Sequence, residues 1–536
     1  MNRKPITCSR RGIQAALTCA VALALAACGG SGSPTSSSSA DPASIVPASV
    51  LGYIQADINP SGSLAQGIAA ASQRLLGIAD PGAKIVALLD KAMTGGDSYE
   101  KDIQPWLGST AGVAVLSSST TGASPGTPGF AVIADDKDQS QASALLHSKG
   151  LFDGKGTSGS YSGVAYVQHG SNGVAGLVGS FFVVGGNLTA FKAVVDVYKG
   201  GAALSGLASY QKAVSAELPG ADGVAYVPLD KLIGLIPKSS LGATGTSGVL
   251  SGLLAKYATT IISGSARFDA NGAALDITES GVTPASPSGE TNPIGNLPAG
   301  SWLAIGATNV GPGLASGLTE LAKLGNGGSL GNLTQSLGEL QLATGVNVEG
   351  DLRSITTLGF FVKGTNLGTL EAALELAVKN PSQAPVLVGQ YKRLAQLIAS
   401  SDHSFTVGTL RQSNIQAGFT IHVPNVPFTF DVAAGNGVIV VALGTTSLND
   451  ALASANRLSS TAPYTTSTSR LGSGIQPDVI LDLPTVATLI KTLDSAGASS
   501  ATTATVLSYL ERLGTVAIGS GQSGRSEHVR IIVSGS

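Results

Sequence analysis

The sequence predicts an α+β protein built from two duplicated modules, each a largely antiparallel sheet packed with helices. Short β-rich runs arrive in pairs, and amphipathic helical stretches lie between them, a pattern that favours α+β over a doubly wound fold. Four segments also recur in the same order in the two halves of the chain. The chain is 43% hydrophobic and 12% charged, with a mean hydropathy of +0.28, which excludes general disorder. The 71 glycines have no Gly-X-Y period, which excludes collagen.

Residues 1–27 are predicted to be a lipoprotein signal peptide. A basic start precedes an apolar run over Ile13–Ala27 that is short for a membrane span. The run closes on Leu25-Ala26-Ala27-Cys28, which resembles the bacterial lipobox, whose Cys thiol receives diacylglycerol. We therefore expect Cys28 to be lipidated and to attach the protein to the extracytoplasmic face of the cell membrane. The alternative is an ordinary secretory signal with an incidental Cys.

The cysteines and the segment after Cys28 fit this interpretation. Cys8 and Cys19 lie inside the predicted signal, so the mature chain keeps Cys28 alone and forms no internal disulfide. Residues 28–40 are rich in Gly and Ser and are predicted to be a flexible tether. Twelve such residues have a root-mean-square reach of about 17–21 Å. The tether would hold the folded part close to the bilayer.

The duplication predicts module one over 41–281, a linker over 282–291 and module two over 292–536. The linker lies in a stretch rich in Pro, Ser, Gly and Asn. The recurring segments have offsets of 251 to 257 residues, and they are Pro47–Ile54 with Pro298–Ile305, Ser180–Val184 with Gly437–Val441, Gly223–Pro228 with Val479–Pro484, and Thr260–Ile277 with Val516–Val533.

The elements of module one follow from period-two and helical patterns. Strands are predicted over Leu51–Ile58, Gly112–Leu116, Phe130–Ala134, Val164–Gln168, Phe181–Val184, Val224–Val227, Thr260–Phe268 and Ala273–Glu279. The last two should form a hairpin across Asp269–Gly272, where Asn-Gly favours a tight turn. Helices are predicted over Ser63–Gly77, Asp138–Lys149 and Leu188–Lys199, the second with Asp138 as its N-cap.

Several short segments resemble the bacterial family called domain of unknown function 3352. They are Ile45–Ala48, Tyr53–Asp57 with Asn59-Pro60, Trp106–Gly108 before a strand, and Asp135-Asp136 at the end of another. Module two departs from this pattern, because Arg353 stands where Trp106 would fall and no Asp pair follows Phe360–Val362. The resemblance implies an exported or lipid-anchored protein of actinobacterial type. It implies no activity and no functional residues.

The sequence predicts no catalytic, metal or cofactor site. Gly327–Gly331 matches the Gly-x-Ser-x-Gly elbow, but it lies in a Gly/Asn/Ser stretch without the preceding strand that the elbow needs. No Rossmann fingerprint or P-loop is present, so no nucleotide cofactor is expected. The five histidines are far apart and none has metal-ligand spacing, and they are His147, His169, His403, His422 and His528.

Two further groups have competing interpretations. Asp135, Asp136 and Asp138 could bind calcium or magnesium, but acids between a strand and a helix are more typical of helix capping. Trp106 and Trp302 could be ligand platforms, but a Trp beside a strand start is more typical of a core anchor. The net charge of −2 and the 5% aromatic content argue against a nucleic-acid partner.

The sequence leaves three functional hypotheses open. The first is a non-catalytic binding or carrier protein for an apolar ligand near the membrane, with a cavity between sheet and helices. The second is a structural or protein-interaction lipoprotein of the cell envelope, with solid cores and an exposed apolar patch. The third, a hydrolase, requires a cleft where His and Asp or Glu converge beside Ser or Thr.

Overall fold

The computed structural model describes residues 40–92, 98–117, 129–147, 156–168, 173–233, 259–281, 290–324, 333–366, 368–401, 403–453, 455–494 and 501–536. The protein is α+β, with antiparallel pairing throughout the registers of its described strands. The chain divides into two compact units after Thr283, and the segment Ser523–His528 belongs to the first unit.

The described strands of the first unit form one antiparallel sheet. They are β1 (Gly52–Asp57), β2 (Leu107–Leu116), β3 (Gly129–Asp136), β4 (Thr157–Tyr161), β5 (Val164–Gln168), β6 (Val174–Val178), β7 (Phe181–Gly185), β8 (Gly223–Pro228), β9 (Ile261–Asp269) and β10 (Gly272–Ser280). The order across the sheet is β10-β9-β8-β1-β2-β3-β7-β6-β5-β4. The strand β1 is therefore central.

Helices pack on both faces of this sheet. The described ones are Gly62–Leu76, Pro81–Ala92, Gln139–Leu145, Leu188–Tyr198, Ala208–Ser215 and Leu229–Ile233, with a π-helical turn at Tyr99–Ile103 and 3-10 turns at Pro42–Ile45 and Leu204–Gly206. The helix Leu188–Tyr198 covers the main core, because its Phe191 and Val194 are fully buried against β3 and β7. The helix Gly62–Leu76 contacts β9 and β10.

The second unit also contains an antiparallel sheet. Its described strands are β11 (Ser301–Thr308), β12 (Ile355–Lys363), β13 (Glu371–Val378), β14 (Thr406–Thr409), β15 (Ala417–His422), β16 (Phe430–Gly435), β17 (Val438–Leu443), β18 (Ile475–Asp482), β19 (Leu513–Ser523) and β20 (Ser526–Gly535), of which β20 belongs to this unit from Val529 onward. The order is β20-β19-β18-β11-β12-β13-β17-β16-β15-β14.

The described helices of the second unit are longer in sum than the described helices of the first. They are Val310–Leu324, Leu333–Thr344, Val348–Ser354, Ala384–Ser401, Gly444–Leu452, Ala462–Leu471, Leu483–Asp494 and Ala501–Arg512, with 3-10 turns at Pro293–Asn296, Pro381–Gln383 and Leu458–Ser460. The helix Ala384–Ser401 covers β14 to β16 and forms a core with Phe419 and Ala434.

The predicted strands of module one are confirmed within a few residues, but two strands were missed. β4 reads TSGSY and β6 reads VAGLV, and each is short or rich in the small residues that weaken a strand pattern. The helix after Asp138 ends at Leu145, not Lys149. The β9–β10 hairpin is confirmed, but its turn residues are Ala270 and Asn271, because Asp269 pairs with Gly272.

Candidate functional site

The central strand of the first unit presents a half-exposed apolar row. Ile54 on β1 is 53% exposed, although it lies in the middle of the sheet. Its paired neighbours on either side are Val113 and Ala225. Val113 pairs in turn with Val132, and Val132 pairs with Val184. Unlike Ile54, these residues and Ala225 are half-buried. We call the residues Ala225, Ile54, Val113, Val132 and Val184 the outer row of the first unit.

The adjacent residues of the same strands lie on the opposite face and are fully buried. Tyr53 pairs with Ala114 and Tyr226, and Ala114 pairs with Ala131. All four have at most 1% of their surface exposed. Because successive side chains of a strand point to opposite faces, Ile54 lies on the other face of the sheet. A second core around Trp106 and Phe182, against which Val184 packs, closes part of that face, and the face remains partly open at Ile54.

The second unit has an outer row of its own. Ile305 on β11 pairs with Phe360 and Val479, Phe360 pairs with Leu374, and Leu374 pairs with Val441. All five residues are half-buried. The residues beside them, Ala304, Ile480, Phe361, Ala373 and Ala442, are buried. In this unit too, one face of the sheet is closed and the other is partly open.

Several helices of the second unit also expose large apolar side chains. Leu342 is 89% exposed, and the other exposed positions are Leu314, Val386, Leu397, Ile398, Leu493, Val506 and Tyr509. These residues lie on five different helices of the second unit.

Buried carboxyl groups lie near the start of β8 in the first unit. Burial raises the pKa of Glu217 to about 7. Burial also raises the pKa of Asp222 to about 6, although the backbone N–H of Phe268 donates to its Oδ2 at 2.6 Å. Burial likewise raises the pKa of the neighbouring Asp57. Within the described residues, no group of three or more His, Cys, Asp or Glu side chains could hold a metal ion.

A carboxyl group with a raised pKa lies on the closed face of the sheet in the second unit. Glu375 lies between its paired residues Gly359 and Val440, and Val440 is fully buried. Burial raises the pKa of Glu375 to about 7, and the Arg457 charge opposes this increase. Oε1 of Glu375 has no hydrogen-bond partner in the part of the chain that the structure describes.

The structure places the three predicted acids at the junction of β3 and a helix. Asp138 is the N-cap of Gln139–Leu145, and its Oδ1 accepts from the backbone N–H groups of Ser140 and Gln141 at 3.1 and 3.2 Å. Asp136 accepts from the backbone N–H of Asp138 at 2.9 Å. Burial raises the pKa of both Asp135 and Asp136. These contacts are those of helix capping.

The two tryptophans differ in burial. Trp106 is buried, its ring centroid lies 4.8 Å from that of Phe182, and its Nε1 donates to the Asp102 carbonyl at 2.7 Å. Trp302 is half-buried and donates to the Gly364 carbonyl at 2.9 Å. Trp106 is therefore a core anchor. Arg353, which the predicted duplication would align with Trp106, is exposed and pairs with Glu349.

Only one of the described histidines lies beside both a hydroxyl and a carboxylate. Nδ1 of His528 is 3.0 Å from Oγ1 of Thr278 and 3.6 Å from Oδ1 of Asp276. In a catalytic triad the hydroxyl and the carboxylate contact different ring nitrogens. Here both contact Nδ1, so this arrangement does not activate Thr278.

The other described histidines lie in different environments. His147 follows the end of the helix Gln139–Leu145, and its backbone N–H donates to the Ala144 carbonyl. His403 lines a small pocket of about 370 Å³ with Phe405, and His422 is exposed at the end of β15. Cys28, His169 and Gly327–Gly331 lie outside the described residues. Within the described part of the chain, no helix is both long and apolar enough to cross a membrane.

A family model described as "Protein of unknown function (DUF3352)" matches residues 13–533. The chain belongs to the DUF3352 family. The resemblance noted in the sequence is therefore confirmed at the level of the family. No curated protein matches this DUF3352 sequence.

Among solved structures, this DUF3352 chain is similar to crystal forms I and III of TP0453. The sequence identities are 9% and 10%, and the TM-score is 0.25 for each. The match covers 47% of this chain and 82% and 84% of the two TP0453 chains.

The outer rows were not predicted from the sequence. One signal in the sequence could have indicated them: consecutive residues of a strand, which face opposite sides of the sheet, are all apolar in Phe181–Val184 and in Phe360–Val362. Such strands are typical of sheets that are covered on both faces. In this DUF3352 chain, the second face remains partly open.

Proposed function

We propose that the protein is a lipid-anchored, extracytoplasmic binding or carrier protein that takes an apolar ligand on the outer rows of its two sheets. The proposal depends mainly on Ile54, a large apolar side chain that is half-exposed on an interior strand of the first unit's sheet. Leaving such surface in water costs about 25 cal/mol per Å². An apolar ligand that covers the row would recover this free energy.

The predicted N-terminus supports a place at the membrane for this binding. The lipobox ending in Cys28 would attach the chain to the bilayer, and the tether over 28–40 would hold the first unit within a short distance of it. The mature chain has 27 basic and 33 acidic residues. Electrostatic attraction to anionic lipid would then be weak, so the lipid on Cys28 is expected to provide the attachment.

We also infer that the two units are copies of one module. Supporting this is the match between their strand pairings: Ile54 lies between Val113 and Ala225, and Ile305 lies between Phe360 and Val479. Isolated bridges recur as well, from Pro47 to Ala203 and from Pro298 to Arg457. Two copies would provide two outer rows for one ligand class.

The anchor is tested by metabolic labelling of cells with a clickable fatty acid. We expect the full chain to carry the label and to sediment with membranes, and the Cys28→Ala variant to lose the label. Cys19→Ala is the matched control, because this Cys lies within the predicted signal peptide. Label that persists in Cys28→Ala would contradict the anchor.

Ligand binding is tested with the neutral fluorophore N-phenyl-1-naphthylamine and the purified full chain. We expect fluorescence to rise on binding, and the double variant Ile54→Asn with Ile305→Asn to lower affinity about tenfold, the loss expected from one buried apolar contact of 1.4 kcal/mol. Tyr198→Asn is the control, because Tyr198 is an exposed apolar residue on a helix that covers the closed face. Equal binding by the double variant would contradict the proposal.

The second candidate function, a protein-interaction lipoprotein, is favoured by the exposed apolar side chains on the helices of the second unit, above all Leu342. It predicts that a partner protein, not a small apolar molecule, protects these helices. Cross-linking in cells with a photoreactive residue at position 342 distinguishes the two. A discrete protein adduct favours the interaction function, and adducts with lipid alone favour the carrier.

A further inference from the structure

We infer a second binding site in the first unit, a surface pocket that takes an amphipathic anion, namely a carboxylate or phosphate group carried on an apolar chain. The pocket has a volume of about 650 Å³. Pockets for small molecules have volumes of about 300–1,000 Å³, so this pocket has room for such a ligand.

Most of the pocket wall is apolar. The helix Leu188–Tyr198 contributes Ala193 and Val197, and the loops beside it contribute Pro47, Ala202 and Leu207. Small and aliphatic side chains of this kind can cover an acyl chain without offering it hydrogen bonds. The wall therefore selects for an apolar body.

Two lysines place positive charge in the same pocket. Nζ of Lys192 lies 4.7 Å from the centroid of the Tyr161 ring, and Nζ of Lys231 donates to the Ala48 carbonyl at 3.2 Å. An ammonium group has three N–H donors, so Lys231 keeps two after this bond. These contacts hold both ammonium groups at the pocket wall while leaving donors for an anion.

The pocket also contains one acidic residue, and its charge is already engaged. The Tyr161 hydroxyl donates to Oδ1 of Asp196 at 3.0 Å. The four charged or ionisable side chains of the wall are Tyr161, Lys192, Asp196 and Lys231. Their net charge at neutral pH is one positive charge, because Tyr161 is neutral. A ligand with one negative charge and an apolar chain would neutralise the pocket and fill its wall.

This pocket is separate from the outer row of the first unit. The helix Leu188–Tyr198 packs on β3 and β7 through Phe191 and Val194, on the closed face of the sheet. Ile54 points from the opposite face. Binding in the pocket can therefore occur whether or not the outer row binds a ligand, and the two are tested with different probes.

The test is lysine footprinting of the full chain with an acetylating reagent, read by mass spectrometry at each lysine. The probes are decanoate, decanol as the uncharged chain of equal length, and inorganic phosphate as the anion without a chain. We expect decanoate to slow acetylation of Lys192 and Lys231 about tenfold, the order expected when a charge-assisted contact is formed. Lys199 is the internal control, because it is the C-cap of the helix that contains Lys192 and it lies outside the pocket wall.

Each outcome bears on the inference. Protection of Lys192 and Lys231 by decanoate but not by decanol or phosphate supports it, and Lys192→Met should then reduce the protection of Lys231. Equal protection by phosphate would overturn the inference in favour of a site for free anions. Equal protection by decanol would overturn it in favour of a purely apolar site. Protection of Lys199 to the same degree, or of no lysine, would overturn the site altogether.

Discussion

Phe360 and Phe361 follow one another on β12, yet Phe361 is completely buried and Phe360 is only half-buried. Phe361 pairs with Ala304 and Ala373 in the closed core of the second unit. Phe360 pairs with Ile305 and Leu374 in the outer row. The two side chains have the same chemistry, so their environments alone distinguish them.

This difference predicts unequal effects of truncation. Phe361→Ala should lower the free energy of unfolding by about 3–5 kcal/mol, because it leaves a cavity in a closed core. Phe360→Ala should cost about 1 kcal/mol, because part of this side chain is already in water. Urea unfolding of the two variants measures the difference, and equal losses would mean that both faces of the sheet are closed.

Glu375 should make the second unit less stable as the pH rises. Its pKa in the folded chain is about 7, above the ordinary value for a glutamate, so the folded state binds the proton more tightly. The stabilisation is complete below the unfolded pKa of about 4.3 and is lost as the pH rises through about 7. The full shift corresponds to at most about 4 kcal/mol.

Glu375→Gln tests this prediction, because the amide keeps the shape and cannot ionise. We expect the variant to unfold at higher urea than the parent at about pH 8 and at similar urea at about pH 5. Glu100→Gln, at an exposed position of the first unit, is the control. A variant that is less stable than the parent at pH 8 would show that the carboxylate is compensated when folded.

Two glycines of one helix should respond in opposite directions to alanine. Gly311 is the second residue of the helix Val310–Leu324, and a Cβ there would collide with the carbonyl oxygens of Leu352 and Ile355. Gly313 has open space around the same position. Gly313→Ala should stabilise by about 0.5–1 kcal/mol through helix propensity, and Gly311→Ala should destabilise. Thermal unfolding compares them, and a tolerated Gly311→Ala would contradict the close packing of this helix on Val348–Ser354.

Asp138 should act as a helix cap that needs no metal. Asp138→Ala should cost about 1 kcal/mol, whereas Asp138→Asn should be nearly neutral because Asn caps equally well. Thermal unfolding with and without calcium, magnesium or a chelator checks the alternative. A transition that moves with the metal in the parent and not in Asp138→Ala would favour the metal site instead.

Much of the fold could be predicted from the residues because the patterns are local. Val164–Gln168 shows the alternation of a strand, and the β9–β10 hairpin contains its own turn residues. The helix Gln139–Leu145 is preceded by its own N-cap, Asp138. β4, which reads TSGSY, could not be predicted, because it is a strand only through its pairing with β5.

The candidate site was harder to predict for a physical reason. The sequence shows that Phe360 and Ile54 are apolar, but exposure depends on which helices cover each face of the sheet. The pocket beside Leu188–Tyr198 likewise joins Tyr161, Lys192 and Lys231 from three separate elements. Neither feature has a spacing in the sequence that would mark it.

The most direct test of apolar binding on the outer rows is photo-cross-linking of the full chain in vesicles of phosphatidylcholine and phosphatidylglycerol. A small fraction of the phosphatidylcholine carries a diazirine at the end of one acyl chain, and the modified peptides are identified by mass spectrometry. We predict adducts on peptides that contain Ile54, Val113 and Phe360, and their loss in Ile54→Asn with Ile305→Asn. Adducts confined to the region around Cys28 would contradict the account.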